Sequence, residues 1–255
     1  MNINLNGINT NYICEGNGDA LLILPGWGAT SPTYNIMVKQ LSSKYTVYVL
    51  DLPGFGITPE PSEPWCVDDY ADFVNAFINT LGIKRLTIMG HSFGGRIIIK
   101  LLSRNNNFEI TKVGLVDAAG IKNKLSGEQT KRQAKYKKLK KFYSGSVMQK
   151  LFPNALEKLQ NKYGSRDYAA ASPIMKQCLV KAVNEDLTDL IPNISQETVL
   201  IWGKNDTATP YSDAMAMNSM IKNSKLICIE NAGHFPFIDQ PFEFRKAIDQ
   251  SFINC

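Results

Sequence analysis

The chain has 255 residues, 44% hydrophobic and 20% charged, which is ordinary globular usage and excludes a disordered chain, a collagen or a small disulfide scaffold. Its net charge of +5 is local: residues 121–150 hold ten Lys or Arg against one acid, Glu128, a charge of +9 that leaves the rest of the chain at −4. Such a distribution does not indicate a general nucleic-acid-binding surface, and the length suits one large α/β domain or two small ones.

In chain order, Ile3–Leu5 and Ile8–Cys14 read as a hairpin around the turn dipeptide Asn6-Gly7. Ala20–Leu24, Thr46–Leu50 and Arg85–Met89 are aliphatic or β-branched nearly throughout, the pattern of strands covered on both faces. Helical patterns lie between them near Thr33–Leu41 and over Val67–Leu81, where Val67, Tyr70, Val74, Phe77, Ile78 and Leu81 share one face. A helix over Gly94–Ser103 and a strand at Val113–Val116 follow. After a long interval the alternation resumes, with strands at Thr198–Trp202 and Lys225–Ile229 and helices at Tyr211–Met220 and Pro241–Phe252. This rhythm predicts a mainly parallel sheet with helices on both faces. The interval offers no strand. Within it, Lys135–Phe152 reads as an amphipathic helix, with Leu139, Phe142, Tyr143, Val147 and Leu151 on one stripe and lysines on the other. The expected organisation is a core of residues 1–120 and 195–255, with a helical cap, 121–194, inserted in it.

No apolar run approaches the roughly 20 residues of a membrane span, and the first residues lack a signal-peptide pattern. The five cysteines (14, 66, 178, 228 and 255) contain no Cys-x-x-Cys pair and read as reduced thiols. A soluble, cytoplasmic protein without a stable membrane anchor is expected.

Gly90-His91-Ser92-Phe93-Gly94 fits G-x-S-x-G between a predicted strand and a predicted helix, the setting of a nucleophile elbow. A serine hydroxyl needs an adjacent base. Only two histidines are available. His91 directly precedes Ser92 on a sharp turn and is poorly placed to take its proton, whereas His234 follows the last strand, on the edge that Ser92 shares. The carboxylate that orients His234 is expected from Asp206, just past the penultimate strand; Asp117, just past Val113–Val116, is the competitor. Two main-chain N–H groups are needed for the oxyanion: those of Phe93, after the nucleophile, and Trp27, in the glycine-rich loop Leu24-Pro25-Gly26-Trp27-Gly28. No Lys-Ser/Thr completes a P-loop and no G-x-G-x-x-G occurs, so nucleotide binding is not expected. With two histidines, a histidine-based metal site is not expected either, and the chemistry requires no cofactor.

These motifs, together with Asp-Leu-Pro-Gly-Phe-Gly at 51–56, Trp-Gly-Lys-Asn-Asp at 202–206 and Asn-Ala-Gly-His-Phe at 231–235, resemble the α/β-hydrolase superfamily of the small, helical-cap type over nearly the whole chain outside the cap. Serine at 92 departs from the epoxide hydrolases and haloalkane dehalogenases, which use aspartate there. Pro25-Gly26 stands where such proteins usually have His-Gly, and Thr58 where serine is common. The resemblance implies a serine hydrolase acting on a small carboxylic ester. Carbon–carbon hydrolase, thioesterase, peracid-forming and lyase relatives share the motifs, and a ligand sensor without turnover is an alternative of another class. The basic segment reads as a solvated helix face, or as an attractor for an anionic or carrier-linked substrate or an anionic membrane surface. Oligomeric state is not legible.

Overall fold

The computed structural model describes residues 1–122, 127–163 and 166–254. Lys124, Cys255 and a few residues of the expected cap therefore lie outside the described residues. β1 (Asn2–Leu5) and β2 (Ile8–Glu15) form the expected hairpin, with Asn6 (φ 52°) and Gly7 (φ 86°) both left-handed, as a tight two-residue turn demands. Then follow β3 (Asp19–Leu24), α1 (Asn35–Leu41), β4 (Tyr45–Leu50), α2 (Val67–Thr80), β5 (Arg85–His91), α3 (Phe93–Leu102) and β6 (Glu109–Val116). Five helices come next: α4 (Gly127–Tyr143), α5 (Ser146–Leu151), α6 (Ala155–Tyr163), α7 (Arg166–Ala170) and α8 (Pro173–Asn184). The chain ends with β7 (Glu197–Gly203), α9 (Tyr211–Met220), β8 (Ser224–Ile229), α10 (Pro236–Asp239) and α11 (Pro241–Ile248).

The strands form one eight-stranded sheet in the order β1-β2-β4-β3-β5-β6-β7-β8, with β1–β2 and β2–β4 antiparallel and all other pairs parallel. Alternation along the buried strands sorts side chains into two layers. Leu22 and Leu24 of β3 join one core with Phe77 of α2, Ile97 of α3 and Met217 of α9. Leu21 and Ile23 join the other, with Met37 and Val38 of α1 and Phe244 of α11. Both faces of the sheet are thus covered, which is why its strands read as continuous apolar runs.

Two expectations are corrected. β6 begins at Glu109, four residues before the apolar run, because Glu109, Ile110 and Lys112 still pair with β5, on either side of an irregularity at Thr111, although Glu109 and Lys112 break the hydrophobic pattern. The helix expected over Lys135–Phe152 is two helices: α4 stops at Tyr143, and Gly145, extended at φ −66° and ψ 140°, starts α5. Of its apolar stripe, Phe142, Val147 and Leu151 are exposed, as is Phe152 beside it.

Gly94, in the first turn of α3, marks the tightest approach of helix to sheet: a Cβ there would stand 2.2 Å from the main-chain oxygen of Leu24. Gly94→Ala should therefore cost about 3 kcal/mol or more in thermal unfolding, whereas Gly127→Ala, with open space at its Cβ, should cost nothing measurable.

Candidate active site

The register brings the carboxyl ends of the parallel strands level: Leu24 pairs with Gly90, His91 with Val116, Val116 with Ile201 and Gly203 with Ile229. The loops carrying Trp27, Ser92, Asp117, Asp206 and His234 leave the sheet along one edge, where crevices open in such sheets. Ser92 sits between β5 and α3 in the left-handed region, at φ 51° and ψ −112°, a conformation unusual for a residue with a side chain. Three main-chain bonds hold it there. Its N–H donates to Val116 O at 3.1 Å, and its carbonyl accepts from Ala119 and Gly95 at 2.8 and 3.0 Å.

Ser92 Oγ lies 2.9 Å from Nε2 of His234, whose Nδ1 lies 2.8 Å from Oδ2 of Asp206. Asp206 has no exposed side-chain surface. Oδ1 accepts from the N–H groups of Ala208 (2.7 Å) and Thr209 (3.1 Å), while Thr209 Oγ1 donates to Oδ2 at 2.6 Å. Burial alone would raise the pKa of this carboxyl, but the bonds from His234 and Thr209 outweigh it and hold the group down to about 2. An ionised Asp206 can only accept, so Nδ1 of His234 carries the proton and Nε2 offers its lone pair to the Ser92 hydroxyl.

Asp117 is brought close but not into this chain. It lies fully buried at the end of β6, with φ 42°, and its Oδ1 accepts from Gly203 N–H at 3.0 Å. Burial, reinforced by the charge on Asp206, pushes its carboxyl up to about 9, so it holds its proton at neutral pH. The donor atoms of Asp117, Asp206 and His234 lie within 4.8 Å of one another, the one grouping with metal-ligand residue types among the described residues. Within it, both oxygens of Asp206 are engaged by Ala208, Thr209 and His234, whereas Oδ2 of Asp117 is buried without a hydrogen-bond partner.

His91 is buried, and its ring bridges two loops: Nε2 lies 2.7 Å from the main-chain oxygen of His234 and Nδ1 lies 3.0 Å from Tyr34 Oη. A carbonyl only accepts, so Nε2 bears the proton and Tyr34 donates to Nδ1. Tyr34 Oη in turn accepts from Gly26 N–H at 2.8 Å. Desolvation, with His234 close by, lowers the pKa of His91 to about 3 and keeps it neutral. The ring of Trp27 packs edge-on to Phe55 and Phe93, with centroids 5.0 and 5.1 Å apart, and Phe93 opens α3, where N–H groups lack intrahelical partners. Tyr34 and Thr209 were not legible as site residues. Tyr34 lies in a predicted helix, and nothing distinguishes Thr209 beyond its spacing of three from Asp206.

A family model described as alpha/beta hydrolase fold matches residues 19–241. The chain is 23% identical to a pimeloyl-[acyl-carrier protein] methyl ester esterase of Aeromonas hydrophila, over 92% of this chain and 95% of that one. It is also 23% identical to a 2-hydroxy-6-oxo-2,4-heptadienoate hydrolase of Pseudomonas putida, over 95% and 92% of the two chains. Among solved structures, an esterase from Exiguobacterium antarcticum superposes with a TM-score of 0.78 at 24% identity, over all of this chain and 99% of that one.

Two outcomes follow from the buried network. The folded protein holds a proton on Asp117 up to about pH 9 that the unfolded chain, with the ordinary value of 3.8, has already released. Asp117 therefore costs stability increasingly as pH rises from about 4 to 9. Asp117→Asn should match wild type near pH 4 and exceed it by a Tm of about 5 °C at neutral pH, and equal pH profiles of Tm would refute the protonated state. Tyr34→Phe leaves His91 Nδ1 and Gly26 N–H without their partner, and should lower unfolding free energy by about 1–3 kcal/mol in denaturant titration.

Proposed function

This chain belongs to the alpha/beta hydrolase family, and we propose that it is a serine hydrolase that cleaves a carboxylic ester through an acyl-enzyme. The observation that carries this reading is the unbroken run from Ser92 Oγ through His234 to a buried, ionised Asp206, with links of 2.9 and 2.8 Å. In the reading, Ser92 attacks the ester carbonyl while Nε2 of His234 takes its proton and passes it to the leaving alcohol. Asp206 keeps the imidazole in the required tautomer and stabilises its protonated form. The main-chain N–H groups of Trp27 and Phe93 receive the oxyanion, and water then releases the acid by the same steps in reverse.

His91 is assigned a positioning role. Neutral and fully bonded, it ties the Gly26 loop to the backbone of His234 and takes no proton from Ser92. It thereby supplies the brace that Pro25 cannot, since the usual histidine of this loop is absent. Trp27, in edge-to-face contact with Phe55, Phe93 and Tyr70, is assigned with them to the acyl side of the site. Residues 121–194 are assigned as a cap. Support comes from α8, which rests on the loop after β4: Met175 packs against Gly54, and Cys178 Sγ accepts from Trp65 N–H at 3.1 Å.

The names of the relatives support a hydrolase of small esters, one of them carrier-linked. Equal identity to a heptadienoate hydrolase favours carbon–carbon cleavage as the second reading. p-Nitrophenyl esters from acetate to laurate should be turned over repeatedly, with the best chain length sizing the acyl side. Ser92→Ala should lose at least about 10³-fold in kcat/KM. Equal rates in both proteins would remove the esterase reading, and turnover of a 2-hydroxy-6-oxo-dienoate alone would install the second.

A further inference from the structure

The corner between α4 and α5 combines exposed apolar side chains with a run of lysines. Phe142, Val147, Leu151 and Phe152 are 55%, 67%, 64% and 53% exposed, so they project outward instead of filling a core. Val147 and Leu151 stand four residues apart on α5, while Tyr143 contacts the rings of both Phe142 and Phe152 at 5.2 and 6.2 Å. Along the flanking sequence the charge has one sign. Residues 129–156 contain eight Lys or Arg and no acid, and Lys137, Lys138, Lys140, Lys141 and Lys150 are all exposed.

A lysine-rich face alone needs only water, and isolated exposed apolar side chains are common. Four exposed apolar side chains at one helix corner, among such lysines, suit an occupant that is apolar at depth and anionic at its surface. A second copy of the chain fails on charge, since a two-fold contact through this corner would set identical cation clusters against each other. Lysine stems also lie along apolar matter while their ammonium groups reach toward phosphate. We propose that the α4–α5 corner docks the protein peripherally on an anionic lipid surface, with Phe142, Val147, Leu151 and Phe152 entering the headgroup boundary and the flanking lysines pairing with lipid phosphates. No helix among the described residues is long and apolar enough to cross a membrane, so the attachment is reversible, set by the apolar area inserted and by the charge. It is independent of the catalytic reading.

The test is co-sedimentation of the full chain with vesicles of phosphatidylcholine alone and of phosphatidylcholine mixed equally with phosphatidylglycerol. Binding to the mixed vesicles, lost at high salt and weak on the neutral ones, is expected, and Ser92→Ala should bind as wild type does. Joint replacement of Lys138, Lys141 and Lys150 by Gln should weaken binding roughly a hundredfold. Phe142→Ser with Leu151→Ser and Phe152→Ser should weaken it at least about tenfold while leaving Tm and short-ester turnover unchanged. No binding to either vesicle, or equal binding to both, overturns the proposal. So does capture by soluble poly-glutamate with no vesicle binding, which would assign the corner to an acidic protein partner.

Discussion

A carboxylate with no exposed surface is tolerable only if every oxygen is supplied with donors, and Asp206 imposes that condition on its surroundings. Its donors come from its own loop, through Ala208 and Thr209, and from His234 on the next strand's loop. The requirement ties the loop after β7 to the loop after β8, and so helps to hold His234 against Ser92. It also decides the state of its neighbour. With one buried negative charge in place, a second a few ångströms away would be prohibitively costly, so Asp117 stays neutral and serves the fold, through Gly203 N–H, while Asp206 serves the histidine.

The same economy governs the opposite side of Ser92. His91, Tyr34 and Gly26 pass one donor to the next acceptor in a single direction, and the carbonyl of His234 closes the series. The bond from Gly26 to Tyr34 is local, eight residues long, while the other two join segments 57 and 143 residues apart. The strained backbone of Ser92 is held by Val116 of β6 and Ala119 beyond it as well as by Gly95 of α3, so the turn depends on the neighbouring strand and not on its own five residues alone.

How much of this was legible follows from which forces act locally. Buried parallel strands must be apolar on both faces, so the runs at Ala20–Leu24 and Thr198–Trp202 announced themselves, and with them the shared edge and the spacing of Ser92, Asp206 and His234. Side-chain bonds such as Tyr34 to His91 span 57 residues and carry no local pattern, which is why Tyr34 was silent. The choice between Asp206 and Asp117 rests on loop geometry that no periodicity encodes. The Lys135–Phe152 stripe misled in a different way: its period fits a helix, but a period says nothing of what the stripe faces, and Gly145 interrupts it.

The partition of charge has a consequence that concerns motion before any contact is made. A segment at +9 beside a remainder at −4 makes the molecule an electric dipole, and a dipole feels torque in a field even where its net charge feels little force. Near a negatively charged boundary this torque turns the basic helices forward and the acidic remainder outward. It acts over a layer of about 8 Å at physiological salt. Translation brings the molecule to such a layer at random, but orientation within it is biased from the outset, so the angle of arrival is written into the sequence alongside the fold.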